Sequence, residues 1–166
     1  MRFKKSNAGM TFEVFADSDW AGDVDHRRSQ GGFICFVGGN LITCKSILQR
    51  IVALSSTEAE YIAACEACKE AVWMRRVLSD IGFPQSQPTT IWEDNRSAIC
   101  LSENPHDHSR TKHIDLRYHY LRQQVEFKNV ILRAIGTKDQ VADILTKNSD
   151  SVTFIRHRNR MLNFNQ

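Results

Sequence analysis

The sequence predicts an α/β domain: a mixed sheet, antiparallel at one side and parallel at the other, with helices on its faces. Two features of order predict it. Three β-rich runs come first, close enough together for hairpins. The later strand-like runs are separated by helical patterns, the spacing that parallel crossovers need. A third observation is size: 166 residues, 42% hydrophobic and 25% charged, suffice for one ordinary core with little left for a second.

Phe12 to Asp17 reads as a strand with Phe12, Val14 and Ala16 on one face. A polar loop, Asp19 to Gln30, precedes an apolar run, Gly31 to Val37. Gly38-Gly39-Asn40 signals a tight turn into Leu41 to Lys45, completing a hairpin. Ser55 and Glu58 fit a capping box, so a helix starts there and runs to Ile81, with Gly82 as its stop. Thr89 to Glu93 is a strand, and Asp94-Asn95 opens a short helix to Ser102. Pro105 marks a polar loop, Lys112 to Glu126 a helix, and Asn129 to Ile135 a strand. Thr137 with Gln140 is a second capping-box match, predicting a helix from Thr137 to Lys147. The tail from Ser151 predicts a weak final helix. Residues 1–10 read as a linker or extension, 11–149 as the domain and 150–166 as the tail.

No apolar run approaches the roughly 20 residues of a membrane helix, and Met1 to Met10 lacks the apolar stretch of a secretory signal. A net charge of +3 permits a nucleic-acid partner without requiring one. Five cysteines, an odd number, fit reduced thiols in the cytoplasm. Cys65-x-x-Cys68 lies in an Ala-rich helical stretch with no second pair to complete a zinc site, and reads as buried helical thiols. His106, His108, His113 and His119 match no standard zinc spacing either.

Chemistry is carried by carboxylates. Asp17 and Asp94 end strands, Glu60 lies early in the long helix, and Asp143 lies in the helix that follows the last strand. Strand ends and helix starts are where α/β sheets build sites. Four acids brought together need cations, and oxygen-only ligation suits Mg²⁺ or Mn²⁺. Each also has a plainer reading: Asp94 as an N-cap, Asp143 on a solvated face, Glu58 as the capping partner. Glu58 and Glu60 are about 200° apart around a helix and cannot share one site. Spacing alone does not choose between them, nor between Asp17 and Asp19.

Five ordered stretches resemble a known family: Phe15-Ala-Asp-Ser-Asp-Trp-Ala-Gly-Asp23, Val52-Ala-Leu-Ser-Ser-Thr-Glu-Ala-Glu-Tyr61, Trp92-Glu-Asp-Asn-Arg-Ser-Ala-Ile99, Ser109-Arg-Thr-Lys-His-Ile-Asp115 and Asp139-Gln-Val-Ala-Asp-Ile-Leu-Thr-Lys147. They look like the ribonuclease H domain of copia-type LTR retrotransposon Pol polyproteins. The resemblance implies the ribonuclease H fold, with five strands in the order 3-2-1-4-5. It implies cleavage of the RNA strand of RNA–DNA hybrids, leaving 3′-hydroxyl and 5′-phosphate ends. The family's catalytic, metal-holding set carries over to Asp17, Glu60, Asp94 and Asp143, with two Mg²⁺ ions, or Mn²⁺, as cofactors. Ala16-Asp17-Ser18 resembles the Thr-Asp-Gly of cellular enzymes, selecting Asp17, and Glu60-Tyr-Ile-Ala-Ala64 resembles their Glu-Leu-x-Ala-Ala, selecting Glu60.

Beside that set, Ser18, Ser55, Ser56, Thr57, Asn95, Ser97, Arg110 and Lys112 are candidates for nucleic-acid contact, although Ser55 and Asn95 equally fit helix caps. Trp20 reads as a loop anchor. The expected partners are the hybrid and the reverse transcriptase of the same polyprotein. The isolated domain is expected to be a monomer in the cytoplasm or in a virus-like particle. Two departures stand out. The loop Gly136-Thr-Lys-Asp139 lacks the His of cellular enzymes, and only one helix fits between Ser102 and Asn129, leaving no basic protrusion. They keep open a second reading, a weak or silent module that positions hybrid. An integrase-like order, with Glu last, does not fit.

Overall fold

The computed structural model describes residues 3–5, 9–103 and 115–164. Its strands are β1 (Phe12–Asp19), β2 (Gln30–Val37), β3 (Asn40–Leu48), β4 (Thr89–Glu93) and β5 (Val130–Ala134). Its helices are α1 (Ser56–Asp80), α2 (Arg96–Glu103), α3 (Asp115–Glu126) and α4 (Ser151–Leu162). The sheet order is β3-β2-β1-β4-β5. β1 to β3 form antiparallel hairpins, while β1, β4 and β5 run parallel, as the element order predicts.

Strand alternation gives the sheet two buried faces. Phe12, Val14, Ala16, Cys35, Ile91 and Leu132 pack under α1 against Tyr61, Ala64, Cys68 and Ala71. Phe15, Ile34 and Phe36 point the other way and meet Val141, Ala142 and Met161. Cys65 and Cys68 are both fully buried in α1, as apolar packing residues rather than ligands. Burial pushes the Cys68 thiol up, out of the range in which a thiolate forms.

The ends of α1 are fixed locally. Ser55 Oγ accepts from the Glu58 N–H at 3.1 Å, and Glu58 reaches back to the Leu54 N–H at 2.8 Å, one residue beyond the usual capping-box partner. At the other end the Gly82 N–H donates to the Ser79 carbonyl and the Phe83 N–H to the Leu78 carbonyl. Gly82 takes φ +87°, the left-handed turn this closure needs. The C-terminal tail forms the full helix α4, with Asp150 as its N-cap accepting from the Val152 and Thr153 N–H groups.

One predicted element is corrected. The segment after β5 is not an α-helix from Thr137 to Lys147 but two short 3₁₀ helices, Thr137–Asp139 and Val141–Leu145. The expected capping box does not form, because both partners are drawn to the sheet. Gln140, fully buried, donates to the Ala16 carbonyl at 2.8 Å and the Trp92 carbonyl at 3.3 Å. Thr137 donates instead to Asp94. Gln140 thus ends one 3₁₀ turn and caps the next while its side chain serves strand carbonyls.

Candidate active site

Asp17 and Asp94 come together because β1 and β4 are parallel neighbours. Phe15 pairs with Trp92, and two residues further on the strand ends present both carboxylates. Glu60 enters from the second turn of α1. The helix start decides between the two glutamates: Glu58 is held at the cap, and the rotation to Glu60 turns the latter toward the strand ends. Carboxylate oxygens of Asp17, Glu60 and Asp94 lie within 4.8 Å of one another. Asp19 stays outside this group.

Asp143 reaches the site through a cation. Lys147 Nζ lies 2.8 Å from Asp17 Oδ1 and 3.2 Å from Asp143 Oδ1. The Thr146 hydroxyl donates to Asp17 Oδ2. Gly32, paired with Asp17 across β1 and β2, makes this approach sterically available. A Cβ there would stand 2.9 Å from Leu145 Cβ and 3.0 Å from Thr146 Cγ2. Thr137 donates to Asp94 Oδ2 at 2.9 Å.

Two participants were missed in the sequence. Lys147 is a cationic partner four residues after Asp143, a spacing that was open to inspection. Glu93 adds a further buried carboxyl group beside the cluster; its Oε1 accepts from the Asn95 N–H, and its Oε2 has no partner among the described residues. Strand alternation was the available signal, since Glu93 shares the buried face of Thr89 and Ile91.

The electrostatics follow from burial and crowding. Burial, then Glu93, Asp17 and Asp94, push Glu60 up to about 10, against the pull of Lys147. Glu93 is raised well above the carboxylate range, chiefly by burial. Burial and Asp17 lift Asp143 to about 6, with Lys147 opposing. For Lys147, burial works against the charge, but Asp17, Asp143 and Glu60 more than offset it and hold the ammonium charged. Glu60 Oε2, like Glu93 Oε2, is buried with no partner among the described residues. An all-oxygen donor set with orphaned buried carboxylate oxygens fits a hard divalent cation.

The predicted nucleic-acid contacts divide. Ser18 is buried, donating to the Gln30 carbonyl and accepting from Gln49 Nε2, so its hydroxyl belongs to the scaffold. Ser55 and Asn95 act as helix caps, Asn95 Oδ1 accepting from the Ala98 N–H. Ser56 and Ser97 are exposed, and Thr57 is half-buried. Arg110 and Lys112, with His106, His108 and His113, lie outside the described residues. Trp20 is a loop anchor, its indole N–H donating to the Ala53 carbonyl at 3.0 Å.

The chain is 45% identical over 133 residues to a retrovirus-related Pol polyprotein from transposon TNT 1-94 of Nicotiana tabacum, a match covering 80% of this chain. It is 39% identical over 152 residues to the corresponding polyprotein from transposon RE2 of Arabidopsis thaliana, covering 92% of this chain. The chain is homologous to retrotransposon Pol polyproteins. It spans about 10% of the length of these relatives. No protein-family model matches it. Among solved structures, LC11-RNase H1, isolated from compost by a metagenomic approach, superposes with TM-score 0.60 at 15% identity, covering 82% of this chain and 92% of that one. The N-terminal RNase H domain of a Mycobacterium tuberculosis protein gives TM-score 0.57 at 10% identity, covering 91% and 98%. The fold of this Pol homologue is therefore that of ribonuclease H, with the sheet order its motifs imply.

Proposed function

We propose that this Pol homologue is a divalent-metal-dependent ribonuclease H that hydrolyses the RNA strand of RNA–DNA hybrids during reverse transcription. The observation that carries the reading is the convergence of Asp17, Glu60 and Asp94 within 4.8 Å at the strand ends. Asp17, Glu60, Asp94 and Asp143 would hold two Mg²⁺ ions, with Mn²⁺ as a substitute. Bound there, such ions supply Lewis acidity and a water activated for in-line attack on a phosphodiester.

The chain's own groups orient and recognise. Thr137 fixes the Asp94 carboxylate, and Gln140 ties the 3₁₀ segment carrying Asp143 to β1 and β4. Glu60 would accept from a ribose 2′-hydroxyl, the group that separates RNA from DNA. Ser56, Thr57 and Ser97, at the starts of α1 and α2, would contact the nucleic-acid backbone. A cleft of about 270 Å³ between α1 and the β2–β3 hairpin carries Lys45, Arg50 and Lys69 against one acid, Glu66. That balance suits nucleic-acid backbone. A solved LC11-RNase H1 complex with RNA/DNA hybrid shares the fold at TM-score 0.57 and supports the choice of ligand. The homologous polyproteins support a reverse transcriptase as the neighbouring partner.

A purified chain is expected to nick labelled RNA in a hybrid when Mg²⁺ is present, leaving 3′-hydroxyl and 5′-phosphate ends. Equal cutting of double-stranded DNA overturns the assignment. One observation favours a second reading, a module that binds hybrid without cutting: both oxygens of Asp17 are engaged, by Thr146 and Lys147. Hybrid binding with no turnover at any metal concentration would select it.

A further inference from the structure

The acidic site contains a cation of its own. Lys147 Nζ bridges Asp17 Oδ1 and Asp143 Oδ1 at 2.8 and 3.2 Å, while the Thr146 hydroxyl takes the other oxygen of Asp17. Two adjacent residues of one segment thus engage both oxygens of the carboxylate at the centre of the site. Their exposure is unequal: the Asp17 side chain is 0% exposed and that of Lys147 33%. Asp17 is fixed in β1, whereas Lys147 follows the last 3₁₀ helix and has a path to solvent. A divalent ion using Asp17 Oδ1 needs the oxygen that Lys147 holds, and an ammonium beside a dication is strongly repelled.

We propose that Lys147 is a resident counter-ion that competes with one divalent ion for Asp17 and Asp143, so that filling the site requires its side chain to leave. The proposal rests on the metal-site reading above. It explains how a chain with crowded buried carboxylates folds before metal arrives: the ammonium offsets their repulsion. It also makes the binding of two ions unequal, because the bonds of Lys147 go to Asp17 and Asp143, and the competition falls on that side of the site. The engaged Asp17 oxygens then describe a reversible latch rather than a disabled site.

The test is a Mn²⁺ titration of the full 166-residue chain without nucleic acid, by calorimetry and electron paramagnetic resonance. Wild type, Lys147→Arg and Lys147→Gln are compared. Lys147→Gln is expected to bind its weaker Mn²⁺ about tenfold more tightly, and Lys147→Arg to stay near wild type. In wild type, reductive methylation of Lys147, read by peptide mass spectrometry, is expected to speed up severalfold in saturating Mn²⁺. A folded Lys147→Gln protein with unchanged or weaker Mn²⁺ binding overturns the proposal. If that variant does not fold, unchanged Lys147 reactivity in wild type overturns it instead. Lys147-dependent Mn²⁺ binding in a chain that leaves hybrid uncut supports this proposal and removes the ribonuclease reading. No Mn²⁺ binding at all removes both.

Discussion

On α4, Arg156 and Arg160 end on the carbonyl oxygens of Lys138 and Asp139, and the Arg160 guanidinium also lies 4.6 Å from the Phe15 ring centroid. At the ends of β1 and β4, Glu60 and Glu93 each keep a buried oxygen with no partner among the described residues. Both regions are dense in one sign of charge. The basic one spends its arginines on backbone carbonyls and on the Phe15 ring, fastening the last helix to the 3₁₀ segment and to β1. The acidic one crowds buried carboxyl groups against one another. Charge density alone does not separate the two regions; mutual crowding of buried carboxyl groups does.

That contrast can be broken from the acidic side first. Asp94→Asn is expected to cut hybrid cleavage by about a thousandfold or more, as loss of one member of a metal-holding set does. A thermal melt of the same variant without metal should rise, since one repelling charge is gone. Cleavage near the wild-type rate would place the chemistry elsewhere.

Gly32→Ala is the next largest. Its Cβ meets Leu145 and Thr146 at 3.0 Å or less, so the 3₁₀ segment must shift, at a cost of about 1–3 kcal/mol. Denaturant titration measures this. A stable variant with full cleavage would show that the approach of Thr146 to Asp17 is dispensable.

The pH dependence sharpens the comparison. Glu60 sits at about 10 against an ordinary 4.5. The folded chain keeps a proton that the unfolded chain releases, so this contribution is whole below pH 4.5 and drains as pH climbs toward 10. Melting temperatures without metal should therefore fall between about pH 5.5 and 8.5, and added Mn²⁺ should restore more at the higher value. A flat profile would mean that Glu60 is not crowded as described.

Arg160→Ala tests the basic region and should do least. Loss of the ring contact and the carbonyl bond is expected to cost about 1 kcal/mol, read as a lower melting temperature. Cleavage per folded molecule should stay unchanged; a large drop would tie α4 to the chemistry.

Much of this was legible in the chain. The hairpin, the start of α1 at Ser55 and its stop at Gly82 depend on turn residues, caps and periodicity within a few positions of one another. Asp17, Glu60 and Asp94 stood in recognisable stretches. Thr137 to Lys147 failed because local capping signals lost to buried strand carbonyls that only the folded sheet presents. Ser18 looked available for nucleic acid, and burial committed it elsewhere. Glu93 and Lys147 each carry a local signal, alternation along β4 and the spacing from Asp143, but only the meeting of β1, β4 and the last segment ties them to the site.

The sequence by itself determined the five strands, the α-helices, their order and the residues that can carry charge, because these depend on short-range hydrogen bonding and on alternation along the chain. Tertiary structure alone decided which carboxylates share a site, which oxygens stay without partners and that Lys147 stands between Asp17 and Asp143. Electrostatic energy at such a site depends on distance and burial, and both are created by packing between segments more than a hundred residues apart.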